Sequence, residues 1–262
     1  MGLPAAGLRS VLATRYVTAL REGGSLPGLV EADDDGLYVA KFRGAGQGLR
    51  ALVAEIIVGE LARHAGLLVP ELVTVEIDPR LGAAEPDPEI QELIGASTGT
   101  NLGVDFLPGA LPYTAAGEWQ PDPALAAEIV WLDALTTNVD RTARNPNLLL
   151  WHDRLWLIDH GAALYLSHGG LDPAGHAGRP FPLIAQHVLL GRAGSIVAAG
   201  ERMRERLGEG AMGEGALAAA AALVPADWFT GGDPPETYVE YLSRRLAGDA
   251  FAQEAERVRA AA

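Results

Sequence analysis

Cysteine is absent from all 262 residues. That excludes disulfides, thiolate metal sites and a cysteine nucleophile. Lysine is almost absent as well: it occurs once, at Lys41, beside nineteen arginines. No segment approaches the roughly eighteen uninterrupted apolar residues of a membrane span. The opening residues, Met1 to Val17, lack a basic stretch followed by a long apolar core, so no signal peptide is expected. A cytoplasmic location is the resulting expectation. Basic charge is in deficit overall, with a formal net charge of −14. A nucleic-acid backbone or an anionic membrane needs a basic face, so neither is expected as the main partner. A small anion held by a few local cations remains compatible. The six histidines are scattered, with no HExxH pair to suggest zinc.

What is present is ordinary globular composition, 48% hydrophobic and 21% charged. The length suits one large domain or two small lobes sharing a cleft. Residues 14–42 predict three short strands: Arg15 to Arg21, Gly28 to Glu31, and Gly36 to Phe42. They are separated by the turns Glu22-Gly23-Gly24-Ser25 and Asp33-Asp34-Asp35-Gly36. The second turn lacks the spacing and terminal Glu of a calcium loop and reads as a solvated hairpin. Gln47 to Gly66 predicts a helix, with Leu49, Leu52, Ile56 and Leu61 near helical spacing. Val69 to Asp78 reads as a strand, and the Pro- and Gly-rich Pro79 to Pro88 as a loop. Thr100 to Pro112 reads as a strand leading into a linker.

From Pro121 the pattern turns helical. Ala124 to Leu135 is the first helix, followed by the polar loop Thr136 to Asn147. LLLW and LWLID then form a hairpin with Asp159 at its exit. Further helices are expected over Pro182 to Leu190, Ser195 to Leu207, Gly215 to Val224, and Pro235 to the C-terminus. Strands first and helices second predict an α+β chain with two lobes, residues 1–108 and 109–262.

The chemistry-bearing residues follow this order. The sole lysine lies on the strand GLYVAKF, where a compact ammonium is a single point charge that can be aimed at one spot, such as a phosphate. Glu55 sits in the apolar stretch Ala54 to Ile57, where a carboxylate is expensive unless paired. Lys41 is the expected partner. Asp140 and Asn145 are five residues apart, and Asp159 follows after the hairpin. A carboxylate to orient a hydroxyl, hard oxygen ligands for a cation and an ammonium for phosphates are what phosphoryl transfer requires. Each residue alone has a plainer reading as a turn, cap or surface group; the ordered set does not.

The set Lys41, Glu55, Gly66 to Glu71, NVDRTARNPNLLL and LIDHG resembles the HipA-like kinases, and also the catalytic loop of phosphatidylinositol 3/4-kinases. The resemblance runs from about Tyr16 to Leu166. It implies a two-lobed, protein kinase-like fold and an enzyme that uses ATP and Mg²⁺. It implies that Lys41 holds the α- and β-phosphates, that Glu55 orients Lys41, and that Asp140 is the catalytic aspartate. Asn145 and Asp159 would ligate Mg²⁺. Val104, Asp105, Phe106 and Leu107 would form the hinge that meets adenine through backbone groups. Gly23, Gly24 and Ser25 would cover the phosphates, with Ser25 a candidate for autophosphorylation. The family's lysine after this loop is replaced by Gly28 or Leu29, a departure that weakens the loop assignment. Arg141 and Arg144 would neutralise the transferring phosphoryl group. The expected acceptor is a hydroxyl, on a protein Ser or Thr; a small-molecule or phosphoinositide-type kinase and a nucleotide-binding pseudokinase are the alternatives.

Overall fold

The computed structural model describes residues 7–20, 26–46, 48–83, 85–208 and 211–261. The expected phosphate-covering residues Gly23, Gly24 and Ser25 lie outside the described residues. The chain divides into two compact units. The first comprises Met1–Leu52 and Pro70–Pro108, and the second Val53–Val69 and Gly109–Ala262. Residues 53–69, expected with the first lobe, therefore group with the second.

The first unit is a closed five-stranded barrel. Its strands are β1 (Ser10–Ala19), β2 (Gly28–Ala32), β3 (Leu37–Lys41), β4 (Leu72–Ile77) and β5 (Gly99–Asp105), in the order β1-β2-β3-β5-β4. Ring closure comes from a parallel pairing of β1 with β4, Ser10 opposite Thr74 and Leu12 opposite Glu76. Closing the sheet removes its edges. Val11, Ala13, Val30, Ala32, Tyr38, Ala40, Val73 and Val75 form the barrel core, with Ile90 and Ile94 packed on it. These positions alternate with exposed ones along β1 and β3, the period of two that a one-sided strand requires.

Helix α1 (Gly48–His64) crosses the boundary between the units. Helix α2 (Pro88–Ala96) was not foreseen: the sequence suggested a loop ending near its start. Its signals are standard ones. Asp87 accepts a hydrogen bond from Glu89 N–H as N-cap, and Pro88 opens the first turn. The first strand also begins five residues earlier than expected. Ser10–Leu12 is fixed by β4, 64 residues away, and no local turn announces it.

The second unit holds the short antiparallel sheet β6 (Leu111–Pro112), β7 (Leu148–Trp151) and β8 (Arg154–Leu157), together with helices α3 (Pro123–Leu135), α4 (Pro173–His176), α5 (Ile196–Leu207), α6 (Ala211–Ala222), α7 (Pro235–Ala247) and α8 (Ala250–Ala261). The described chain is therefore mixed α+β, strand-rich in its N-terminal part and helical in its C-terminal part. Helix α3 is its apolar centre, with Ala126 to Leu135 entirely buried. The C-terminal carbonyls of α3 face the buried Arg245, which donates to Ala134 O at 2.8 Å and Leu135 O at 2.7 Å. A cation at a helix C-terminus meets the negative end of the helix dipole.

Two helix expectations are corrected. Residues 182–190 form separate 3-10 turns, Pro182–Gln186 and Leu190–Arg192. The intervening segment pairs with residues 141–142 instead: Val188 N–H donates to Arg141 O at 3.0 Å, and His187 bridges Thr142. The C-terminal helix is two helices, broken at Gly248-Asp249. No helix among the described residues is long and apolar enough to cross a membrane.

Candidate active site

In the first unit, Lys41 closes β3. Strand β3 pairs in register with β5, so Lys41 lies opposite Leu102, Ala40 opposite Gly103, and Val39 opposite Val104. Gly103 allows this close packing: a Cβ there would lie 2.4 Å from Val75 Cγ2 and 2.7 Å from Val73 Cγ2. The lysine strand and the expected hinge strand are thus neighbours. The hinge expectation is narrowed. Asp105 N–H donates to Glu71 O at 2.9 Å and Phe106 N–H to Leu37 O at 3.0 Å. Those two donors serve the barrel, as does Val104, which pairs with Val39 on one side and Leu72 on the other.

In the second unit, the loop after α3 is built around Asp133. This carboxylate is fully buried. Its Oδ1 accepts from Asn138 Nδ2 at 3.1 Å, and its Oδ2 accepts from Arg141 Nε at 2.6 Å and His187 Nε2 at 2.9 Å. Burial opposes its charge, but the Arg141 charge and the His187 hydrogen bond outweigh burial and hold the carboxyl far below the ordinary range. His187 Nδ1 accepts Leu189 N–H at 3.1 Å. That bond fixes the neutral tautomer with its proton on Nε2. Burial, ahead of the opposing pull of Asp133, pushes the imidazole pKa down.

Arg141 is where expectation and structure part. Its side chain is fully buried. Nε meets Asp133, Nη1 donates to the carbonyls of Asn147 and Ile158, and Nη2 meets His160 Nδ1 at 3.3 Å. With the fork spent inside the fold, Arg141 ties the loop to the end of β8 and does not reach a phosphoryl group. Arg144 is exposed.

The loop's outer side carries Asp140, half-buried. Its N–H donates to Asn138 Oδ1 at 3.1 Å. Its Oδ2 accepts from Asn145 Nδ2 at 2.7 Å and Asn147 Nδ2 at 3.4 Å. A carboxylate only accepts, so it orients the Asn145 amide with nitrogen toward Asp140 and Oδ1 away. A carbonyl oxygen directed outward beside a carboxylate is a hard donor suited to Mg²⁺, which uses few protein ligands and completes its shell with water and phosphate. Among the described residues, no group of three His, Cys, Asp or Glu side chains could hold a metal alone. The donor set fits a cation shared with a phosphate ligand rather than a closed protein site.

Asp159 follows β8 with φ +56°, in the left-handed region. A residue with a Cβ adopts it at a cost of roughly 1–3 kcal/mol and needs the surroundings to hold it there. Glu55, 2% exposed, provides part of that hold. Its Oε2 accepts His160 N–H and its Oε1 accepts Gly161 N–H, both at 2.9 Å. His160 is buried and its Nδ1 meets Arg141 Nη2.

Three residues of this site escaped sequence reasoning: Asp133, Asn138 and His187. Asp133 carried one usable signal, a lone carboxylate inside the apolar run Ile129 to Leu135. His187 carried none, because its partner is 54 residues away.

The sequence matches the HipA-like kinase family over residues 14–169. A search of the curated proteins found no match. Among solved structures, the crystal structure of the Golgi casein kinase aligns with 98% of this chain and 71% of its own, at 13% identity and a TM-score of 0.44. The family match spans more than half of the chain and includes Lys41, Glu55, Asp140, Asn145 and Asp159, so this chain belongs to the HipA-like kinase family and is a kinase-type phosphotransferase that uses ATP.

Proposed function

We propose that this protein transfers the γ-phosphoryl group of ATP, with Mg²⁺, to the hydroxyl of a serine or threonine in another protein. The observation that supports it best is the Asp140–Asn145 side-chain hydrogen bond, which holds a carboxylate and an amide side by side on one short loop.

In this reading, Asp140 orients the acceptor hydroxyl and takes its proton through Oδ1, while Oδ2 stays bonded to the two amides. The acceptor oxygen forms a bond to the γ-phosphorus as the bond to the β,γ-bridging oxygen breaks, and ADP leaves with that electron pair. Lys41 holds the α- and β-phosphates, and the backbone of Val104 to Leu107 receives adenine. Asn145 Oδ1 and the Asp159 carboxylate hold Mg²⁺. When bound, the ion neutralises charge on the phosphate oxygens. Arg144, exposed on the same loop, adds a cation near the transferring group. Residues 1–108 supply the nucleotide-binding functions and residues 109–262 the catalytic loop.

The test is mass spectrometry of the purified protein with Mg-ATP, first alone and then with peptide and metabolite panels. Phosphate on Ser or Thr of a peptide, absent with Asp140→Asn, is expected. Transfer to metabolites only would overturn the protein acceptor; no transfer to any acceptor would overturn the reading.

A further inference from the structure

The backbone around Asp159 is gripped on both sides. Upstream, Ile158 O accepts from Arg141 Nη1 at 3.2 Å, and Ile158 N–H donates to Asn147 O at 3.1 Å. Downstream, the two consecutive N–H groups of His160 and Gly161 end on the two oxygens of one carboxylate, that of Glu55. Between these grips Asp159 holds φ +56°. Glu55 lies among the buried Val53, Ala54, Ile56 and Ile57, where an ionised carboxylate must have its oxygens satisfied. Hydrogen bonds to a charged acceptor are the strong kind, and two parallel ones fix orientation as well as distance. Orienting a lysine would require neither of them.

We propose that Glu55 is a positioning residue for Asp159: it clamps the His160-Gly161 backbone and so fixes the direction of the Asp159 carboxylate. This rests on the reading of Asp159 as a metal ligand, and it adds a role to Glu55 beyond any pairing with Lys41. Without the clamp, the segment is free to relax out of the left-handed conformation, and the carboxylate turns with it. Glu55 thereby acts on the metal-dependent part of ATP binding, whereas Lys41 acts on the phosphates with or without metal.

Glu55→Gln separates the two roles. Glutamine keeps the shape but presents one oxygen and one NH₂ group, so one backbone N–H faces a donor. ATP affinity is measured by calorimetry in excess EDTA and in saturating Mg²⁺, for wild type, Glu55→Gln and Lys41→Met. Outer-shell supports of a metal typically change metal affinity by about 10–100-fold. Glu55→Gln is expected to lower the Mg²⁺ enhancement of ATP binding, the ratio of the two affinities, by at least about tenfold. Lys41→Met is expected to lower both values by a similar factor. A Glu55→Gln protein that loses affinity equally in both conditions, or in neither, overturns the clamp. Absence of any Mg²⁺ enhancement in the wild type would instead overturn the kinase-site reading. Amide exchange on the unliganded wild type keeps the proposal testable should Glu55→Gln not fold. The His160 and Gly161 amides are expected to exchange at least about a hundredfold slower than unprotected amides, and free exchange at both sites overturns the clamp.

Discussion

Arg141 and Asp133 form a fully buried ion pair, 2.6 Å between Nε and Oδ2, directly beneath the loop that carries Asp140. The pair joins the end of α3 to the loop, and the same guanidinium reaches the carbonyls of Asn147 and Ile158. Arg141→Met leaves the Asp133 carboxylate buried without its cation. Breaking a buried pair from one side costs about 3–5 kcal/mol. The expected result is a urea midpoint shift of that size. Arg144→Ala, at an exposed position of the same loop, should change stability by less than about 0.5 kcal/mol while slowing phosphoryl transfer. Unchanged stability in Arg141→Met would return that residue to the phosphate-binding role.

Acid should weaken the fold through His187 before it does so through Asp133. Both groups have folded pKa values below their unfolded ones, so the unfolded chain binds more protons as pH falls. Their stabilisation is present above the unfolded values and lost below them. For His187 the loss begins near the ordinary histidine value of 6.5, and for Asp133 near 3.8. The urea midpoint should therefore fall between pH 7 and pH 5, and His187→Gln should flatten that fall. A midpoint that rises below pH 6.5 would show His187 to be a cationic partner of Asp133.

The barrel that carries Lys41 depends on a missing side chain. Gly103→Ala would place a methyl group 2.4 Å from Val75 Cγ2 and 2.7 Å from Val73 Cγ2, both in the packed core. Overpacking of this kind costs about 1–3 kcal/mol. Thermal melts should show the loss, accompanied by weaker ATP binding as β3 is displaced from β5. An undisturbed melting temperature would mean that the valines yield freely.

The sequence revealed the site where its information is local, and concealed it where partners are distant. Asp140 and Asn145 share a loop, and their spacing of five residues was readable without a structure. Strand β3 was legible from alternation, and the hairpin of β7 and β8 from the two apolar runs LLLW and LWLID. The burial of Arg141 was not legible, because it depends on Asp133 in the helix before it and on the carbonyls of Asn147 and Ile158, which flank the hairpin after it. Local reasoning made it a cation for the transferring phosphoryl group. The same limit hid the start of β1, set by β4, and the break-up of residues 182–190, set by pairing with residues 141–142. Helix α2 is a different case: Asp87-Pro88-Glu89 is a sound start signal, overlooked beside a Pro-rich stretch. Glu55 was correctly singled out as a buried carboxylate needing partners. Two of its partners are backbone N–H groups, which leave no mark in the residue pattern.

Asn145 depends on Asp140 for its orientation, and that dependence has a signature. Asn145→Asp would set two carboxylates at the 2.7 Å separation now bridged by an amide. Like charges so close disfavour double ionisation and push one carboxyl pKa up. The pH profile of phosphoryl transfer should then lose its acidic limb and move to higher pH. A profile identical to the wild type would mean that Asp140 and Asn145 do not act as a unit.

The central claim is a division of labour in which Asp140 serves the chemistry and Asp159 the metal. Paired measurement of ATP affinity and phosphoryl transfer in Mg²⁺, for Asp140→Asn and Asp159→Asn, tests it most directly. Asp140→Asn should bind Mg-ATP within a few-fold of the wild type and lose at least about 10²–10⁴-fold in transfer rate. Asp159→Asn should lose the Mg²⁺ enhancement of binding itself. Full activity and unchanged Mg-ATP affinity in Asp159→Asn would contradict the account.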